Sequence, residues 1–145
     1  MGKRILGIDY GTKYIGLAIT DENNNFAVSY KIENNNHLFF DKLKQIVMEE
    51  AIGLIVIGFP TTFNNFVSQR HKLIEEFSKT IANKIDNLEV VLFDESYTTS
   101  TSVFIQKSYG LKNSQIEKTK DMSSAVLILE GYLKYMENNN SNQKV

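Results

Sequence analysis

The apolar positions of this chain repeat with two different periods, and the change from one to the other divides it into elements. Apolar residues crowd into short runs from Ile5 to Asp9 and from Tyr14 to Ile19, joined by Gly11, Thr12 and Lys13, which predicts a hairpin. A third strand is expected from Phe26 to Ile32, after the polar turn Asp21 to Asn25. From Leu38 to Ala51 the spacing becomes helical, with Phe39, Leu43, Ile46 and Val47 recurring on one side. Gly53 to Gly58 is a continuous apolar run between glycines, the pattern of a strand buried on both faces. Pro60 opens a polar loop, after which Leu73, Phe77, Ile81 and Ile85 form an i, i+4 stripe that predicts a long helix. Val90 to Phe93 reads as another buried strand, ending in Asp94 and Glu95. Thr98 to Ser108 is weakly helical, because threonine and serine are indifferent helix formers. Gly110 to Lys120 is polar, with the spacing of a capping box at Ser114 and Glu117. The final helix carries Met122, Ala125, Val126, Leu129, Tyr132, Leu133 and Met136 on one side.

A leading antiparallel meander followed by helix-separated strands predicts an α/β fold, a mixed sheet with helices on both faces. With 145 residues the chain can bury one core, expected over residues 1–137, while the Asn-rich stretch 138–145 is expected to be a disordered tail. The chain has no cysteine, which removes disulfides, thiolate metal sites and thiol nucleophiles. It has no apolar stretch of membrane-spanning length and no signal-peptide pattern, so a cytoplasmic protein without a membrane partner is expected. A net charge of −1 provides no general attraction for a polyanion, so any nucleic-acid binding must use a local patch or a bound metal.

Against that background three carboxylates stand out. Asp9 closes the first apolar strand, where an unpaired buried charge is expensive. Glu95 follows the last strand, and Asp121 begins the last helix, with Ala125 and Ile128 one and two turns further along its face. Each has an ordinary structural explanation: a turn former beside Gly11, a polar strand exit, and a favourable charge at a helix N-terminus. If the strands that carry Asp9 and Glu95 lie close together, these carboxylates meet at one edge of the sheet and the last helix can add the third. A cluster of hard oxygen donors without histidine or cysteine suits Mg²⁺ or Mn²⁺, and paired ions of this kind cleave phosphodiesters. The turn Gly11, Thr12, Lys13 is either a plain hairpin or a place where backbone N–H groups and a lysine meet a phosphate. His37 and His71 have no partner at metal-ligand spacing and read as surface residues.

The blocks RILGIDYGTKYIGLA, IVIGFP, DESYTT and DMSSAVLILEGYL, in this order, resemble the YqgF (RuvX) family of bacterial proteins. Its members are described as Holliday junction resolvases or as nucleases that process the 5′ end of precursor 16S ribosomal RNA. The resemblance spans nearly the whole chain and implies an RNase H-like three-layer fold, with a five-stranded sheet in the order 3-2-1-4-5 and strand 2 antiparallel. It implies that Asp9, Glu95 and Asp121 bind Mg²⁺ or Mn²⁺, that Gly11, Thr12 and Lys13 meet substrate, and that Thr98 and Thr99 match a T-T pair beyond the acidic strand end. The chain departs from the family pattern at three places. Ser96 stands where an arginine is usual, Phe63-Asn64-Asn65 replaces a methionine-aspartate-glycine turn, and Tyr14 replaces a basic residue. These changes lower the local positive charge or the turn flexibility and bear on substrate affinity more than on the metal ligands.

The resulting expectation is a metal-dependent hydrolase of structured nucleic acid, acting on precursor ribosomal RNA in ribosome biogenesis. Two alternatives are a Holliday junction resolvase acting on branched DNA and a non-catalytic module that binds nucleic acid or ribosome-assembly intermediates. The resolvase needs two opposed sites and hence a homodimer, whereas a processing nuclease can be a monomer. An actin-like nucleotide kinase is the more distant alternative, because such enzymes close two domains around ATP and this chain has the length of one.

Overall fold

The computed structural model describes residues 3–59, 65–94 and 124–138. Five strands, β1 (Arg4–Asp9), β2 (Tyr14–Thr20), β3 (Ala27–Asn34), β4 (Ile52–Phe59) and β5 (Glu89–Asp94), form one sheet in the order β3-β2-β1-β4-β5. β2 runs antiparallel to both β1 and β3, while β4 and β5 continue parallel to β1. Two helices, α1 (Phe39–Glu49) and α2 (Asn65–Lys84), follow β3 and β4, and a third, α3, occupies 124–138. This is the mixed sheet and strand order expected.

Alternation along the central strands sorts their side chains into two cores. Leu6 and Ile8 of β1 point to one face together with Ile15, Leu17, Ile55 and Ile57, and there they meet Phe39, Leu43 and Ile46 of α1 and Ile74, Phe77 and Ile81 of α2. Ala18, Val56 and Phe93 point to the other face, against Ala125, Ile128, Leu129 and Tyr132 of α3. Burying a large aliphatic side chain is worth about 1.5–3 kcal/mol, so β1 and β4, packed on both faces, anchor the sheet.

The buried stripe of α2 departs from the expected one: Leu73 is 40% exposed, and the neighbouring Ile74 is fully buried in its place. Steps of four residues advance 400° around a helix and drift 40° per step, so a stripe counted back from Ile85 leaves the buried face by Leu73. Met136 is likewise 40% exposed, in the last turn of α3. The β2–β3 turn is organised by Asp21, whose Oδ1 accepts the N–H groups of Phe26 at 3.0 Å and Asn25 at 2.6 Å. These hydrogen bonds, that of Phe26 foremost, hold the Asp21 carboxyl below its usual range. Among the described residues no helix is long and apolar enough to cross a membrane.

Candidate functional site

Asp9 is the last residue of β1, half-buried and at the C-terminal edge of the sheet. Because Ile8 points toward α1 and α2, Asp9 shares the opposite, α3-facing side with Gly7. Its partner across the antiparallel ladder is Gly16 of β2. On β4 the corresponding level is Gly58, which follows Ile57, the partner of Ile8, and is itself paired with Phe93 of β5. The carboxylate therefore stands between two strand positions that lack side chains. One step down the strand the row is Ala18, Gly7 and Val56, and it is covered by α3.

Gly7 sets how closely that helix approaches. A Cβ at this position would lie 2.9 Å from Leu129 Cβ and 3.1 Å from the Ala125 carbonyl oxygen, so any larger residue would push α3 away from β1. The turn after Asp9 is equally tight, since a Cβ on Gly11 would fall 2.4 Å from the Tyr14 carbonyl oxygen.

Three side chains hold this turn in place. The Tyr10 ring packs on Phe77 of α2 at 4.7 Å between centroids, which anchors the backbone immediately after Asp9 in the core. Asn35, in the link from β3 to α1, donates from Nδ2 to the Gly11 carbonyl at 2.8 Å, and its backbone N–H reaches the Lys13 carbonyl at 2.9 Å. Arg70 of α2 donates from Nη2 to the Tyr10 carbonyl at 3.3 Å. Thr12 and Lys13 are exposed, with the Lys13 ammonium 5.3 Å from the centre of the Tyr14 ring.

Of the residues singled out in the sequence, the structure thus brings Asp9, Gly11, Thr12 and Lys13 together at one edge. Glu95, Thr98, Thr99 and Asp121 lie outside the described residues, as do Ser114 and Glu117. Tyr10, Asn35 and Arg70 were not anticipated. The run Gln69-Arg70-His71-Lys72 is the one local signal, a basic cluster just after the polar loop. His71, expected on the surface, is half-buried and stacks on Phe59 at 4.5 Å and 14° between ring planes.

The backbone is similar to that of T. thermophilus RuvC in complex with Holliday junction substrate, with a TM-score of 0.57 over 92% of this chain and 96% of that one. At 10% sequence identity this likeness is one of fold. The fold so defined is RNase H-like. Residues 3–135 match the family RuvX, described as Holliday junction resolvase, and the chain belongs to that family. A relative from Malacoplasma penetrans, named "Putative pre-16S rRNA nuclease", is 46% identical over 92% of this chain and 95% of its own length. A relative of the same name from Karelsulcia muelleri is 35% identical over 91% of this chain and 99% of its own.

Proposed function

We propose that this protein is a divalent-metal-dependent nuclease that processes the 5′ end of precursor 16S ribosomal RNA, with Asp9, Glu95 and Asp121 as its metal ligands. The observation that carries this reading is the setting of Asp9, a half-buried carboxylate at the end of the central strand with glycines on either side. Two further placements support the set of three. Phe93 lies on the α3 face two residues before Glu95 in sequence, and Ala125 covers Gly7 four residues after Asp121. The substrate is suggested by the names of the relatives from Malacoplasma and Karelsulcia.

Carboxylate oxygens in a chain without cysteine form a donor set that fits Mg²⁺ or Mn²⁺. When bound, such ions supply an activated water and neutralise the leaving oxygen of a phosphodiester. The chain's own residues do the rest. Tyr10, packed half-buried against Phe77, fixes the backbone that carries Asp9. The Gly11 turn presents backbone N–H groups and the exposed Lys13 to a phosphate. Thr98 and Thr99 are assigned to positioning the acidic strand end. The unit is read as one domain over 1–137 with a tail at 138–145, working in the cytoplasm.

Asp9→Asn tests the assignment: it preserves shape and removes charge, so the variant keeps its melting temperature and loses Mg²⁺- or Mn²⁺-dependent cutting of a precursor RNA. Metal stabilisation of several kcal/mol corresponds to about a thousandfold in rate. A variant that cuts as fast as the parent refutes the site. The family's description favours a second reading, resolution of four-way DNA junctions by a two-fold dimer. It is favoured if junctions are cut faster than precursor RNA ends, and a protein that stays monomeric on junctions excludes it.

A further inference from the structure

Arg70 is tied to the chain next to Asp9 from a distant part of the sequence. It lies on α2, 60 residues from the Tyr10 carbonyl that it binds. Its side chain is exposed, and a guanidinium carries five N–H donors in a planar fork. One of these is used on Tyr10. Among the described residues the ion pairs are Arg4 with Glu50 and Lys42 with Glu33, so neither Arg70 nor Lys13 is neutralised by a described carboxylate. Two exposed cations therefore border the turn that follows Asp9, in a chain whose net charge is −1.

We infer that Arg70 contacts a backbone phosphate of the nucleic acid, resting one N–H on Tyr10 and presenting the others to the phosphate oxygens. This rests on reading the Asp9 edge as a nuclease site. It also supplies a cation to a chain whose sequence has Ser96 in place of the family's usual arginine. Arginine suits the task because its fork can bind a main-chain carbonyl and a phosphate at once, which a lysine ammonium does less well. The contact is to phosphate and not to a base, so it strengthens binding without choosing a sequence.

The test compares the parent, Arg70→Gln and Arg70→Lys on a labelled RNA hairpin with a single-stranded 5′ extension. Binding is measured in EDTA between 50 and 200 mM KCl, and cleavage in Mg²⁺. Glutamine keeps a donor for Tyr10 but removes the charge. One lost phosphate contact lowers the slope of log K against log salt by about 0.7–0.9. Arg70→Gln should therefore flatten the slope by that amount and raise KM roughly three- to tenfold, with kcat within about twofold. Arg70→Lys should restore the slope.

An unchanged slope in Arg70→Gln, with kcat or melting temperature altered instead, overturns the proposal and leaves Arg70 as a fastener of the turn. Because the parent still cuts in that case, the nuclease reading survives. A parent that binds but never cuts removes the nuclease reading, and the slope still decides the role of Arg70. A parent without salt-dependent binding in EDTA refutes the role of Arg70, and one that also fails to cut in Mg²⁺ refutes both.

Discussion

At its Arg4 end β1 is tied down by side chains, while at its Asp9 end the neighbouring side chains are withdrawn. Arg4 donates from Nε to the Thr20 carbonyl at 2.9 Å and pairs from Nη1 with Glu50 at 2.8 Å. The Ile5 N–H donates to Thr20 Oγ1 at 2.9 Å, and that fully buried hydroxyl in turn donates to Asn24 Oδ1. At the other end the strand neighbours of Asp9 are Gly16 and Gly58, and Gly7 and Gly11 lie two residues to either side of it in the chain. Stability and chemistry make opposite demands on a strand. A closed end satisfies its polar groups within the protein, whereas a reactive end must keep space and donors for something from outside. Substitutions that blur this division should affect the two ends differently.

The largest effect is expected at Gly7, where the open end is kept in register with α3. Gly7→Ala places a methyl group 2.9 Å from Leu129 Cβ and 3.1 Å from the Ala125 carbonyl. Overpacking of this kind costs about 1–3 kcal/mol. The displaced helix, described over 124–138, follows the proposed ligand Asp121 in sequence, and a shift of about 1 Å near a reacting centre can cost a hundredfold in rate. Gly7→Ala should therefore lose cleavage out of proportion to its loss of melting temperature. Equal, small losses in both would mean that the approach of α3 to β1 does not set the geometry of the site.

Thr20→Val probes the closed end. Valine keeps the shape but strands the Ile5 N–H, whose partner at 2.9 Å is the hydroxyl. A buried donor left without a partner costs about 1–3 kcal/mol. The denaturation midpoint should fall with an unchanged m-value, and the rate per folded molecule should match the parent. A change in rate at constant stability would show that the two ends communicate.

Much of this architecture was legible because short apolar runs and period-3.6 stripes reflect burial directly, as the continuous run of β4 and the buried stripe of α1 show. Asp9 was legible for the opposite reason, as a charge where the pattern demands an apolar residue. The register of α2 was read one residue out, at Leu73 and not Ile74, because steps of four overrun the helical turn. What no local pattern could show were contacts between distant segments. Asn35 reaches Gly11 across 24 residues and Arg70 reaches Tyr10 across 60, and neither contact leaves a periodic trace. Glu95, Thr98, Thr99 and Asp121 were chosen from the sequence and lie outside the described residues, so Asp9 and its turn are where reading and structure meet.

The smallest effect belongs to Ala51, again at the closed end. Ala51 follows the C-cap of α1 with φ of 53°, a left-handed conformation that glycine adopts most readily at this position of a helix end. It is exposed, so its methyl group contributes little packing, and its carbonyl accepts the Arg4 N–H at 3.0 Å. For an L-residue this conformation costs about 1–2 kcal/mol. Glycine relieves that cost but loses about 0.5–1 kcal/mol to the greater freedom of its unfolded chain. Ala51→Gly should accordingly gain about 0.5–1 kcal/mol. Cleavage should be untouched, because the carbonyl that holds Arg4 is kept and the change is at the opposite end of β1 from Asp9. A less stable variant would show that the alanine methyl group contributes more there than its exposure implies. A more stable but slower one would mean that rigidity at the closed end is felt at the open one.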